Sequence, residues 1–306
     1  MVQIIYSDEF LEHKTGVYHP EKPERLTAIV EALKSASFSE NIKWVTPTIK
    51  PELMSWAETA HTPAYIDKVR AIATSGGGYL DSDTPISPRS YDVALLAVSA
   101  WLEGVDIVLT SKNPAFVLAR PPGHHAESHT GMGFCLFSNA AIAGLYALKQ
   151  PDINRVAIID WDVHHGNGTQ AIVENNPQIA YCSLHQYPAY PGTGRNSDQG
   201  YHNNVLNLPV RPRSDITTYQ PLWENKILPF LTNFQPELLI VSAGYDANAA
   251  DPLAGVNLQP EDFGIFTEYC LSLTHKILFG LEGGYDLPTL SQSVIATLLP
   301  CLAEKY

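Results

Sequence analysis

One pattern constrains this chain more than any other: short apolar runs that each end in a glycine-containing loop carrying histidine, carboxylate or tyrosine. Residues 115–119 run into Arg120-Pro121-Pro122-Gly123-His124-His125. Residues 156–159 run into Asp160-Trp161-Asp162-Val163-His164-His165-Gly166-Asn167-Gly168. Residues 238–242 lead to Ala243-Gly244-Tyr245-Asp246, and residues 277–281 to Glu282-Gly283-Gly284-Tyr285. Brief apolar runs of this kind read as strands covered on both faces, and residues 2–6 and 179–184 add two more.

Helix-like segments lie between several of the runs. Residues 24–34 carry Leu26, Ile29, Val30 and Leu33 at spacings of three and four, which makes one amphipathic face. Residues 90–104 and 138–148 are rich in Ala and Leu, and each opens on a serine suited to capping a helix. Residues 260–273 follow the same pattern. Strand–helix alternation predicts βαβ units: an α/β fold with a central, mostly parallel sheet and helices on both faces. Ligands of such sheets bind outside the carboxyl ends of the strands, which is where all four reactive loops fall. A site assembled from so many strand ends draws on most of the chain. One domain over residues 1–306 is therefore expected, although length alone would suggest about two.

Composition narrows the partners. A hydrophobic fraction of 45% with 17% charged residues describes a globular chain with a sizeable core. A formal net charge of −13 argues against nucleic acid as the main partner and is compatible with a cationic substrate. The four cysteines, Cys135, Cys182, Cys270 and Cys301, lie far apart with no C-x-x-C pair. They read as reduced core residues of a cytoplasmic protein. The N-terminus reaches Asp8 and Glu9 too soon for a signal peptide. The nearest thing to a membrane span, residues 94–109, is interrupted by Glu103 and Asp106, so no membrane partner is expected. The oligomeric state is left open.

The loops carry the chemistry. Alternate side chains of a strand share a face, so Asp160, Asp162 and His164 project together if the strand stays extended. Asp162, His164 and Asp246 form a three-ligand set of the catalytic kind, with a position left open. Lacking thiolate, it suits zinc, with iron(II), cobalt or manganese also compatible. The paired imidazoles of His124 and His125 can take a proton from water and return it to a leaving amine near neutral pH. Asp160 and Asn167 are candidate partners for them. An Asp partner favours imidazolium, whereas an Asn partner lets the other ring stay neutral and act as base. The phenol of Tyr285, with an ordinary pKa of about 10, can donate to a developing oxyanion.

Taken together these residues resemble the zinc-dependent histone deacetylase family, which has the arginase/deacetylase fold. The resemblance begins at His19-Pro20-Glu21-Lys22-Pro23-Glu24-Arg25-Leu26 and continues through residues 120–125, Gly131-Met132-Gly133-Phe134-Cys135 and residues 160–168. It resumes at Pro191-Gly192-Thr193-Gly194, residues 242–246 and residues 282–287. The opening motif, Asn167 and the Glu-Gly-Gly-Tyr ending look like the class II branch and its bacterial, stand-alone relatives.

The resemblance implies a deacetylase acting on an acylated lysine of a protein or peptide, or on a small acylated amine. The metal would be held by Asp162, His164 and Asp246, with His125 as general base and then acid, His124 assisting, and Asp160 and Asn167 orienting the pair. Tyr285 would bind the oxyanion, Phe134 and Gly133 would line an acyl-lysine tunnel, and Asp83 would bond the substrate backbone at the rim. Asp160, Asp162, His164, Ser183 and Leu184 would enclose a structural potassium ion. Two departures bear on the substrate. Tyr190 stands where many members have a second tunnel phenylalanine, and Leu253 stands where polyamine-selective relatives have a glutamate. A binuclear manganese ureohydrolase of the same fold is disfavoured, because Asn248 replaces the middle acid of its second metal site. A binding scaffold without turnover finds no support, since every ligand and proton-transfer residue is present.

Overall fold

The strand-like runs become the middle of one sheet. In the computed structural model, which describes residues 1–302, the strands are β1 (Val2–Ile5), β2 (Ile42–Val45), β3 (Gly78–Tyr79), β4 (Pro85–Ile86) and β5 (Ala115–Val117). They continue with β6 (Val156–Asp160), β7 (Ile179–Gln186), β8 (Val205–Val210), β9 (Leu238–Ala243) and β10 (Ile277–Leu281). Eight of them pair in the order β2-β1-β5-β10-β9-β6-β7-β8, every neighbouring pair parallel. The other two, β3 and β4, form a small antiparallel pair. Residues 303–306 of the domain expected from the sequence lie outside the described residues.

Every residue of β5, β6, β9 and β10 is buried, as a strand covered on both faces requires. The cover includes two groups of helices: Glu24–Ser35 and Asp262–Leu273 each pack on Leu287–Leu302, and Ser90–Ser111 packs on Asn139–Ala147. The helix Ser90–Ser111 is long and apolar enough to cross a membrane by length and composition, yet 67% of that stretch is buried inside the fold. It runs on past residue 104, where Gly104 is a packing position at which a Cβ would press on Leu278 and Val117. In the same contact region Trp101 lies against Gly280 of β10, where a Cβ would overlap the indole ring.

The sheet's edges are where sequence pattern is weakest. β2 is only partly buried and exposes Lys43, and β8 contains Pro209, which a central strand would not tolerate but an edge accepts. The expected serine caps are not formed. Ser90 is the first residue of its helix, with Arg89 at the cap position and making no side-chain cap bond, and the Ser90 Oγ accepts the Ser87 N–H and pairs with His13 Nδ1. Ser138 occupies the cap position, but its hydroxyl is buried without a hydrogen-bond partner. Tertiary packing overrides the local capping preference at both sites.

Register decides what meets at the carboxyl edge. Asp160 of β6 stands opposite Ser183 of β7 and Ser242 of β9, and Ala243 of β9 stands opposite Leu281 of β10. The loops leaving β6, β9 and β10 therefore emerge side by side. The N-terminal segment is tied to this edge by Glu21, whose carboxylate accepts from Arg120 Nη2 at 2.7 Å and from Arg25 Nη1 at 3.0 Å. All three side chains are fully buried. Burial alone would raise the Glu21 carboxyl, but Arg120 and Arg25 outweigh it and hold it down at about 2.

Removing this charge should be expensive. The Glu21→Gln variant leaves two buried guanidinium groups short of their counter-charge, and we expect a loss of about 3–5 kcal/mol in urea unfolding. The sign with pH follows from the lowered carboxyl. Its stabilising contribution is complete above the ordinary value of 4.5 and is lost as pH falls toward about 2. The wild-type unfolding midpoint should therefore drop more steeply over that interval than that of Glu21→Gln, and parallel pH profiles would contradict the pairing.

Candidate active site at the carboxyl edge of the sheet

β6 ends at Asp160, and the chain from Trp161 to Gly166 is irregular. The extended alternation expected through His164 is thus cut short; Asp160 Oδ1 accepts the Asp162 N–H at 3.2 Å, and its Oδ2 meets His124 Nδ1. The second carboxylate of the cation-binding group comes from Asp246, just beyond β9, as the ligand set read from the sequence has it. Ligand atoms of Asp162, His164 and Asp246 lie within 4.8 Å of one another. His164 Nδ1 is 3.0 Å from Asp246 Oδ2 and 3.3 Å from Asp162 Oδ1. Three loops lock the carboxylates in place. Asp162 Oδ2 accepts the Gly283 N–H at 2.8 Å, Asp162 Oδ1 accepts the His164 N–H, and Asp246 Oδ1 accepts the Val163 N–H at 2.9 Å.

The electrostatics of this group favour a cation. Burial raises the Asp246 carboxyl and the neighbouring Asp162 charge adds to it. Burial would depress the His164 imidazole, but Asp246 and Asp162 outweigh that and push it well above its usual range. Two buried carboxylates that converge on one imidazole nitrogen make a donor set suited to a divalent ion, so the residues fit the metal site expected of them. A second group of ligand-type atoms, from His124, Cys135 and Glu282, is less suited. Burial pushes the Cys135 thiol well up, and Glu282 is taken up by backbone N–H groups. Asn248 donates to Tyr245 O and Ser293 Oγ and supplies no acid for a second metal. Ser183 and Leu184 lie within β7, where Ser183 stands opposite Asp160 at the end of β6.

The imidazole pair is asymmetric. The His124 and His125 rings lie 4.0 Å apart between centroids. His124 Nδ1 is 3.1 Å from Asp160 Oδ2, which also accepts from Tyr181 OH at 3.0 Å. His125 Nδ1 is 2.8 Å from Asn167 Oδ1. Burial would lower His124, yet the charges of Asp162, Asp160 and Glu282 outweigh it and push it up to about 10. Burial and the positive His124 and His164 rings hold His125 well below its usual range. The two shifts run in opposite directions, favouring the charged form of His124 and the neutral form of His125.

A cavity of about 230 Å³ opens over these groups, lined by Asp83, His124, His125, Gly133, Phe134, His164, Tyr190, Leu253 and Tyr285. A larger surface hollow of about 560 Å³ lies elsewhere, along Lys50, Glu103 and Asp106, away from both ligand groups. Tyr190 is edge-on to the His125 ring at 5.0 Å, and Phe134 is edge-on to Tyr285 at 5.9 Å. Phe134 has φ of 70°, unusual for a bulky side chain, and its N–H is held by Thr84 Oγ1 at 3.1 Å. Gly133 has to lack a side chain, since a Cβ there would strike the His125 and Tyr190 rings. Tyr190 and Leu253 are each 40% exposed and stand at the mouth with the exposed Asp83.

Several residues given no role from sequence hold this arrangement. Glu282 Oε2 accepts the Gly123 N–H at 2.7 Å and the His124 N–H at 3.2 Å, and its Oε1 accepts from Ser242 Oγ at 3.1 Å. Arg25 donates to Gly284 O at 2.6 Å and to Glu282 O, and its guanidinium carbon is 5.0 Å from the centre of the Tyr285 ring. Asp251 accepts the Tyr285 N–H at 2.7 Å and the Leu253 N–H at 3.0 Å. His19 packs edge-on to Phe134 at 4.7 Å and meets Asp83 O at 3.0 Å. A signal was present for Glu282 and Arg25. Each charge sits in a segment bound for the interior, and a buried charge needs a partner.

Comparison with known proteins bears on the family and the fold. The model of the histone deacetylase domain family matches residues 19–300. The chain is 55% identical over 303 residues to an uncharacterized protein of Synechocystis, covering 99% of this chain and all of that one. It is 34% identical to the histone deacetylase-like amidohydrolase of Pseudomonas aeruginosa, over 88% of this chain and 73% of that protein. The crystal structure of the HDA15 HD domain superposes with a TM-score of 0.93 at 33% identity, over 99% of this chain and 91% of that one. The chain belongs to the histone deacetylase family, a metal-dependent family of deacetylases and amidohydrolases.

Proposed function

We propose that this chain hydrolyses the amide of an N-acetyl- or N-acyl-lysine-like substrate to a carboxylate and a free amine. The observation that carries the proposal is the shared cavity, whose lining brings the His124 and His125 imidazoles and the Tyr285 phenol together beside the Asp162–His164–Asp246 group. In this reading those three residues hold one divalent ion, zinc by preference, with iron(II) or cobalt as alternatives. A divalent ion there supplies Lewis acidity, polarising a carbonyl and lowering the pKa of water toward about 7. Asp160, Asp162, His164, Ser183 and Leu184 are proposed to hold a structural potassium ion.

The chain's own residues then divide the proton work. Asn167 occupies His125 Nδ1, which leaves Nε2 as the basic nitrogen. His125 takes the proton of the attacking water as the oxygen–carbon bond forms, and passes it to the amine nitrogen as the carbon–nitrogen bond breaks. The His124 imidazolium adds positive charge beside the growing oxyanion, and Tyr285 donates its O–H to that oxygen. Burial keeps the phenol protonated far above its ordinary range, so a donor is present at working pH. Phe134 and Tyr190 flank the acyl-lysine stem, and Asp83 bonds the substrate main chain at the rim. Leu253 offers no charge to a distant ammonium, which favours acyl-lysine over acetylpolyamine; a small acylated amine is the second reading.

Two measurements test this. Tyr285→Phe should lower deacetylation of an acetyl-lysine peptide at least tenfold, and about 100-fold if Tyr285 acts as a full oxyanion donor, with metal content unchanged. Unaltered turnover would remove Tyr285 from the mechanism. Tyr190→Phe should shift the ratio of kcat/KM between acetyl-lysine and longer acyl-lysines by about tenfold or less, as one polar group in a hydrophobic wall allows. An unchanged ratio would remove the phenol from substrate selection.

A further inference from the structure

The side chain of Glu127 has no role in the reading above, yet it ends a hydrogen-bonded line that begins at the base. His125 Nδ1 meets Asn167 Oδ1 at 2.8 Å, and Asn167 Nδ2 donates to Glu127 Oε1 at 2.9 Å. Met132 Sδ, another acceptor, lies 3.5 Å from the same Nδ2. We propose that Glu127 is a positioning residue: its carboxylate fixes which way the Asn167 amide faces and so keeps the His125 proton on Nδ1.

The argument is one of donor and acceptor capacity. A carboxylate only accepts, so the amide group facing it has to be the NH₂. The amide oxygen then faces His125, and because that oxygen also only accepts, Nδ1 has to carry the hydrogen. Nε2 is left as the lone-pair nitrogen, the form a general base needs. The opposite amide orientation would set the Asn167 oxygen against the Glu127 carboxylate and point a donor at Nδ1. The proton would then move to Nε2, where a free imidazole in water prefers it, and the ring could no longer accept from water.

Local structure supports a fixed line. Asn167 is buried and starts the helix Asn167–Val173, and a Cβ at the next residue, Gly168, would overlap the main chain of Ala126. The main chain of Glu127 is held separately, its N–H by Thr130 O and its carbonyl by His61 Nδ1 at 3.0 Å. Replacing its side chain therefore leaves the loop anchored. The neighbouring His124 needs no such device, because Asp160 is itself an unambiguous acceptor.

The inference rests on His125 as the base, and its test has an arm independent of turnover. Imidazole ¹⁵N shifts would be recorded for His125 at pH 8 in wild type, Glu127→Met and Glu127→Gln. Wild type and Glu127→Gln, which still offers an acceptor oxygen, should show the Nδ1–H form. Glu127→Met should shift toward Nε2–H. On an acetyl-lysine peptide, kcat should fall about tenfold in Glu127→Met with KM within about twofold, while Glu127→Gln stays within about threefold of wild type. An unchanged tautomer in a folded Glu127→Met protein, or Glu127→Gln as impaired as Glu127→Met, overturns the proposal. Should the tautomers follow the prediction while no variant, nor wild type, deacetylates the peptide, the positioning role stands and the substrate reading fails.

Discussion

One buried carboxylate, Glu282, decides whether the other elements of this site can meet. It leaves the end of β10 and receives the N–H groups of Gly123 and His124 from the loop after β5 and the hydroxyl of Ser242 from β9. Its own carbonyl receives Arg25, which also grips Gly284 and lies against Tyr285. Three strand ends thus meet at one carboxyl, which burial pushes up to about 7, and the N-terminal segment is tied to its main-chain carbonyl. A buried ion network of this kind is a poor source of net stability, because desolvation offsets most of the Coulomb gain. What it supplies is a fixed arrangement, and a hydrolase that works by aiming donors at developing charge needs fixed donors.

The same logic explains why the imidazoles differ although they are adjacent and equally buried. Their chemical identity comes from what stands behind them. Against burial, Asp162 and then Asp160 raise His124 and favour its charged form, whereas His125, with an amide behind it, is lowered by burial and by the His124 and His164 rings. Charge is distributed across the site by partners rather than by exposure, so a substitution in the outer ring of residues changes the chemistry of the inner one.

Much of this was legible in the sequence. Buried parallel strands announce themselves as apolar runs, and β6, β9 and β10 lie within two residues of the expected positions. The ligand trio and the histidine pair follow from residue types at strand ends. The edge strands β2 and β8 were missed because partial exposure and Pro209 dilute the apolar signal. The outer partners were missed for a different reason. Glu21, Arg25, Glu127, Asp251 and Glu282 act across separations of up to more than 250 residues, and no local pattern says which charges will meet. The strand ends at Asp160, so the alternation that would carry on through Asp162 and His164 lacks the extended backbone it needs. A periodicity argument holds only as far as the strand does.

The central claim is that three strand-end residues hold one divalent cation. The direct measurement is cobalt(II) titration of metal-stripped protein followed by visible absorption, with zinc competition, for wild type and for His164→Ala. The account predicts saturation at one equivalent in wild type, displacement by zinc, and no saturable band in a folded His164→Ala variant. Stoichiometric, zinc-displaceable cobalt in His164→Ala, or two equivalents in wild type, would contradict it.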